Sequence, residues 1–175
     1  MAAHECPTPL KNAASFAFAP CIATRWTTAV NMNILRATSD AEIEALFPVF
    51  KTLRPHLVEA EFVSRVRRQQ AQGYQLIYLQ EPGLVVAAAG YRVLEFLAWG
   101  KVLYLDDLIT LPEKRGAGYG GALMDWLILA AREQGCDELH LDSGYQRQDA
   151  HRLYLNKGLQ LGCHHFSMNL KLLRK

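Results

Sequence analysis

The chain has 175 residues, 50% hydrophobic and 21% charged, and carries a net charge of only +2. That is enough chain for one sizeable core, and too even a balance of charge to call for a nucleic acid or membrane surface as partner. No apolar run reaches the roughly 18 residues of a membrane span. The four cysteines (Cys6, Cys21, Cys136, Cys163) form no CxxC pair, which reads as free thiols in a reducing, cytoplasmic setting rather than a disulfide or zinc framework.

Residues 1–31 are rich in Ala, Thr and Pro, hold one acid (Glu5) and show no period. They read as a disordered extension, with a true start at Met32 as one origin of such a segment. The rival is a targeting peptide: Ala13 to Ala23 is apolar and "AFA" resembles a cleavage site, but Pro20 interrupts the run. One domain is expected over 32–175. Asn33 to Ala37 reads as a short strand. Ser39 or Asp40 then caps a helix through "AEIEALF", and Pro48 and Pro55 break or kink the helical region beyond it. "EAEFVSRVRRQQAQG" is a second helix with Phe62, Val63 and Val66 as its apolar stripe and Gly73 as its stop. The run Arg65, Arg67, Arg68 reads as a solvated face rather than a phosphate patch.

"YQLIYLQ", the turn "EPG" and "LVVAAAGYRVLEFL" make a hairpin, and "KVLYLDDLITL" a further strand ending at Pro112. A helix runs from Tyr119 to about Gln134, with Leu123, Leu127 and Ala130 or Ala131 at helical spacing and Gly135 closing it. "DELHLDS" is a strand, "QDAHRLYLNKG" a short helix and "CHHFSMNLKL" a last strand. The order predicts a single α/β domain with a mixed sheet.

Between strand and helix lies "RGAGYG", residues 115 to 120. Glycine weakens a helix, so glycines at a helix start point to backbone that something approaches closely. A strand, a glycine turn and a helix N-terminus together make an anion site, because the first amides of a helix lack partners and the dipole is positive there. The Walker pattern fails, since Gly121 and Ala122 stand where Lys and Ser/Thr are needed. Gly116, Gly118 and Gly121 fit the dinucleotide pattern formally, but hairpins precede them where a βαβ unit should open.

The turn resembles another signature, the R/Q-x-x-G-x-G/A loop of the GNAT N-acetyltransferases, filled here by Arg115, Gly118 and Gly120. Residues 104–120 resemble that family's fourth strand and pyrophosphate loop throughout. The family's A-x-x-L/F-Y-x-x-x-G-F helix is matched by Ala150, Leu153, Tyr154 and Gly158, with Leu159 in place of Phe. The resemblance implies an α/β (α+β) fold: a mixed, mostly antiparallel sheet flanked by helices and splayed between the fourth and fifth strands. It implies acetyl-CoA as cosubstrate with no metal. The amides of Gly116, Ala117, Gly118, Tyr119, Gly120 and Gly121 would wrap the pyrophosphate beside Arg115, and the backbone of Leu108, Ile109 and Thr110 would pair with the pantetheine. Arg147 stands where the family often has Asn, so a cofactor contact there is carried over with less support.

Acetyl transfer to an amine needs a neutral amine, a polarised thioester carbonyl and a proton for the leaving thiolate. An alkylammonium with a pKa near 10.4 is mostly unreactive at neutral pH, so a base is required. The resemblance puts Tyr154 near the sulfur as acid. It offers Asp142, spaced like the glutamate base of the ribosomal-protein branch, and Asp106 and Asp107, in a segment like the "YLED" strand of the polyamine acetyltransferases. Neighbours on a regular strand face opposite ways, so one of the two should face the cleft and the other point away. His140 and His151 are weaker candidates, and His164 and His165 diverge too far to hold a metal as neighbours on a strand. The expected activity is N-acetyl transfer by direct attack in a ternary complex. A small cationic amine is favoured as acceptor, with a protein amine open and a homodimer open from family habit. The alternative is a non-catalytic acyl-CoA sensor or interaction domain of the same fold.

Overall fold

The computed structural model describes residues 32–173; the expected N-terminal extension lies outside them. The first described elements are a two-residue strand β1 (Leu35–Arg36) and the short helix α1 (Asp40–Ala45). Ser39 caps α1 in a full capping box: its hydroxyl accepts from the Glu42 amide while Glu42 reaches back to the Ser39 and Thr38 amides. Those amides hold the Glu42 carboxyl down to about 2. Pro48 lies in the first turn of α2 (Phe47–Leu53), and Pro55 comes just after its end, so the prolines separate three helices where two were expected. The third is α3 (Glu59–Gln70).

Strands β2 (Gln75–Glu81), β3 (Leu84–Phe96) and β4 (Gly100–Thr110) continue the chain as a meander, and β5 (Glu138–Leu141) comes after α4 (Tyr119–Glu133). The sheet order is β1-β2-β3-β4-β5, antiparallel except for β4 with β5. Its central strands read as unbroken apolar runs because both faces are covered. Leu76, Tyr78 and Ala88 pack with α1, α2 and α3, while Ile77, Leu79, Ala87, Ala89 and Tyr91 pack with Leu123, Met124 and Leu127 of α4. The mixed, mostly antiparallel sheet between helices is the expected fold.

Helix α5 (Gln148–Asn156) is the last long element. The strand expected over "CHHFSMNLKL" is absent: residues 159–169 have no regular structure, and a 3-10 turn comes next at Leu170–Leu173. Phe166 and Met168 alternate as a strand would, yet both are exposed, and β5 pairs with β4 alone among the described residues. No helix of the described residues is long and apolar enough to cross a membrane.

Candidate functional site

The site begins where two strands part. β4 and β5 pair in parallel only from Val102 with Glu138 to Leu105 with Leu141. β4 then runs on to Thr110, held by β3 on one side alone. The free edge from Asp106 to Thr110 exposes main-chain groups that a ligand can meet as an added strand meets a sheet edge. Two of the side chains there are structural: Ile109 is buried against the α1–α3 face and Leu108 packs on the α4 face.

A β-bulge marks the parting. Gly90 pairs with Asp107 and Tyr91 with Leu105, so Asp106 is the extra residue on β4. The expectation that the two aspartates point to opposite faces is therefore corrected. The bulge re-aims the strand, and Asp106 and Asp107 line one cavity of about 570 Å³ under α2 and α3. Each has an arginine. Arg54, at the end of α2, lies 2.8 Å from Asp107, and Arg92 of β3 lies 2.8 Å from Asp106. Tyr74 donates a further hydrogen bond to Asp107 at 2.8 Å. Burial pushes the Asp106 carboxyl up, assisted by its neighbour Asp107 and opposed by Arg92. Burial first, and then Asp107, push the Tyr74 phenol far above its usual range.

Gly90 makes room for that arrangement. A Cβ on it would sit 1.8 Å from the Tyr74 hydroxyl, and the ring cannot swing away because Tyr74 is 4% exposed. Sequence reasoning missed Arg54, Arg92, Tyr74 and Gly90. The one signal available was a glycine inside an otherwise apolar strand, which marks a bulge or a close approach.

At the far end of β4 the chain passes a 3-10 turn (Pro112–Lys114) and enters the glycine loop. Gly116 and Gly118 have φ of +80° and +90°, and Gly118 is the left-handed cap of α4 with no side-chain cap bond. The amides of residues 116–121 make no backbone hydrogen bond among the described residues. Residues 116–118 are exposed and 119–121 half-buried, so unpaired amides gather at the positive end of α4. Gly120 differs. A Cβ there would stand 3.4 Å from Leu153 and 3.6 Å from Thr110, which is ordinary contact. Glu81, at the end of β2, clasps the loop from both sides, bonding Lys114 and Tyr119. Those two bonds hold its carboxyl below the usual range. Nothing in the local sequence signals this clasp.

Tyr154 lies half-buried on α5 against the α4 side of the sheet. Burial raises its pKa, and nearby Arg147 at the helix start offsets part of the rise. Arg147 and Arg115 are both exposed. Asp142 lies just past β5, where the Tyr104 hydroxyl donates to it and His165 lies 3.1 Å away. His140 contacts Glu138 and the Trp99 ring, and His151 meets Ser143 at 3.1 Å. Of the Arg65, Arg67, Arg68 run, Arg67 pairs with Asp40 and Arg68 reaches Ser64, as a solvated face would, but Arg65 lines the cavity.

A loop of open amides, a half-paired strand and an acid-bearing cavity at the far end of its free edge can hold a phosphorylated thioester cosubstrate against an amine. Comparison with known proteins agrees. The model of the Acetyltransferase (GNAT) family matches residues 38–159. A Bacillus subtilis (strain 168) protein, named as the uncharacterised N-acetyltransferase YhdJ, is 32% identical over 127 residues, 72% of this chain and 89% of that protein. The aminoalkylphosphonate N-acetyltransferase of Salmonella typhimurium (strain LT2) is 37% identical over a shorter stretch of 54 residues, 31% of this chain and 35% of its own. Among solved structures, the aminoglycoside N-acetyltransferase AAC(6')-Iy in complex with CoA has the same fold, with a TM-score of 0.69 at 15% identity over 79% of this chain and 93% of that one.

Proposed function

The chain belongs to the GNAT acetyltransferase family, and from that premise we propose that it moves an acetyl group from acetyl-CoA to a primary amine by direct attack in a ternary complex. The observation that carries this reading is the parting of β4 from β5 after Leu105, with the acid pair at the parting and the open amide loop at the other end of the free edge. When bound, acetyl-CoA supplies an acetyl thioester, which an amine attacks at the carbonyl carbon with loss of the thiol.

The residues present fit that group. The amides of Gly116, Ala117, Gly118, Tyr119, Gly120 and Gly121 are donors in need of acceptors, as a pyrophosphate requires; Arg115 adjoins them in the chain, and Arg147 adds charge near Tyr154. The free backbone of Leu108, Ile109 and Thr110 suits the amides of a pantetheine arm. Asp106 takes the proton of the ammonium. Its raised pKa brings it nearer to neutrality, where a general base is most effective. Asp107, held by Arg54 and Tyr74, positions the amine. Asp142 is engaged by Tyr104 and His165, and is the rival base. The phenol of Tyr154 stays protonated at neutral pH, so it is available to donate to the departing sulfur.

The acceptor is a small molecule on this reading. The cavity beside the acids is enclosed on one side by α2 and α3, and the partial relative from Salmonella acts, by its name, on an aminoalkylphosphonate. The two acids that spoke for a cationic acceptor are each paired with an arginine, so they favour a second positive charge on the acceptor less than free carboxylates would. The test is free-thiol release from acetyl-CoA by the full chain against a panel of amines. Tyr154→Phe is expected to lower kcat roughly 100-fold with little change in the KM for acetyl-CoA. Binding of acetyl-CoA with no amine-stimulated release would leave the sensor alternative standing and sink this one.

A further inference from the structure

The cavity under α2 and α3 holds more positive than negative charge. Three arginines (Arg54, Arg65 and Arg92) line it against two aspartates, which leaves one formal positive charge in excess before His56 is counted. The excess is not spread evenly. Asp106 and Asp107, on the β4 wall, are satisfied by Arg92 and Arg54. Arg65 on α3, and His56 in the turn before it, have no acidic partner among the described residues. The cavity thus has an acid-bearing end beside the strand parting and, at its exposed rim, Arg65 and His56, which make no ion pair among the described residues.

A polyamine fits this badly, because its second ammonium would approach Arg65, which lines the same cavity, and like charges repel. A plain alkylamine fits no better, since it leaves the guanidinium without an acceptor. Guanidinium presents a planar fork of donors that matches carboxylate and phosphate oxygens in pairs. We propose that the acceptor carries an oxyanion, a phosphonate, phosphate or carboxylate, a few bonds from its primary amine, and that Arg65 and His56 take the oxyanion while the amine lies at Asp106. Arg65 is then a specificity residue. This rests on the acetyltransferase reading above and narrows its acceptor.

The experiment compares amines that share a three-carbon spacer: aminopropylphosphonate, aminobutyrate, propylamine and diaminopropane, with a lysine peptide beside them. The full chain is assayed by thiol release from acetyl-CoA, and coenzyme A binding is measured by calorimetry on the same preparation. An anionic member should exceed propylamine in kcat/KM by roughly tenfold or more, the scale of a charge-assisted hydrogen bond. The phosphonate and carboxylate arms tell which oxyanion is preferred. Arg65→Gln, on an exposed helix face where folding is not at stake, should pull the anionic-to-neutral ratio toward one. Preference for propylamine, diaminopropane or the peptide overturns the inference and leaves the parent reading intact. So does a ratio that survives Arg65→Gln. Silence with every amine, in a chain that binds coenzyme A, overturns both.

Discussion

Asp106 occupies the one position of β4 that has no partner on β3. A carboxylate in that place is half-buried beside a second carboxylate, and its pKa is raised by burial above the ordinary 3.8 despite the Arg92 ion pair. A base works in its deprotonated form. Activity should therefore fall as pH is lowered through that raised pKa, starting at a higher pH than for an ordinary aspartate. Arg92→Gln removes the main influence that holds the pKa down, so it should move this acid limb of the kcat/KM profile to higher pH. Asp106→Asn should lower kcat roughly 100-fold or more and abolish the limb. A limb that persists in Asp106→Asn would transfer the role to Asp142 or Asp107. The acids themselves were legible in the sequence, as was Tyr154. Their partners were not: Arg54 is 53 residues from Asp107, Tyr74 is 33 away from it, and Tyr104 is 38 from Asp142. Local spacing carries no trace of pairings made by the fold at that range, and the opposite-face rule for Asp106 and Asp107 failed because it presumes a strand without a bulge.

Elements with their own start and stop signals are legible in the chain, and those that depend on a neighbour are not. The strand, glycine turn and helix at 100–133 announce themselves through an apolar run, Pro112 and the glycines. The segment after α5 has the alternation of a strand but pairs with no strand of the sheet, and alternation without a partner leaves Phe166 and Met168 exposed. The start of α4 shows how two glycines of one motif do different work. Gly118 holds a left-handed φ of +90°, which costs an L-residue about 1–2 kcal/mol, whereas Gly120 is helical and a Cβ on it would have its nearest neighbours at 3.4 and 3.6 Å. Gly118→Ala should lower the melting temperature by several degrees, on the scale of roughly 2–4 °C per kcal/mol for a chain of this size. It should also weaken coenzyme A binding, because the loop amides would lose their common direction. Gly120→Ala should leave the melting temperature within about 2 °C of the parent, since alanine is the better helix former and the space exists. Equal losses from the two changes would mean that the loop uses both glycines for shape alone. Calorimetry of the unliganded proteins decides it.

The described domain is a sheet covered on both faces that is left open along one seam. Helices α1 to α3 close one side and α4 closes the other, each over its own buried cluster. The sheet runs in order from β1 to β5, but the pairing with β5 stops at Leu105, so the last five residues of β4 have no strand on that side. Backbone groups on such a seam are satisfied by water in the free protein and are better satisfied by a strand-like ligand, so the fold gains stability when that ligand binds. A ligand that binds only the folded state stabilises it by RT ln(1 + [L]/Kd), about 2.7 kcal/mol at a hundred times Kd, or roughly 5–10 °C in melting temperature for a chain of this length. Coenzyme A should produce that rise, reversed on its removal by dialysis. Hydrogen exchange should slow at two separated places, residues 106–110 and 116–121, and not at residues 87–91 of β3, which already pair with both β2 and β4. Pyrophosphate alone should protect the loop and leave the strand edge exchanging freely, because it lacks the arm that lies along β4. Protection confined to the loop with full coenzyme A would mean that the seam is not the pantetheine path, and the acid pair at its end would then lie away from the chemistry.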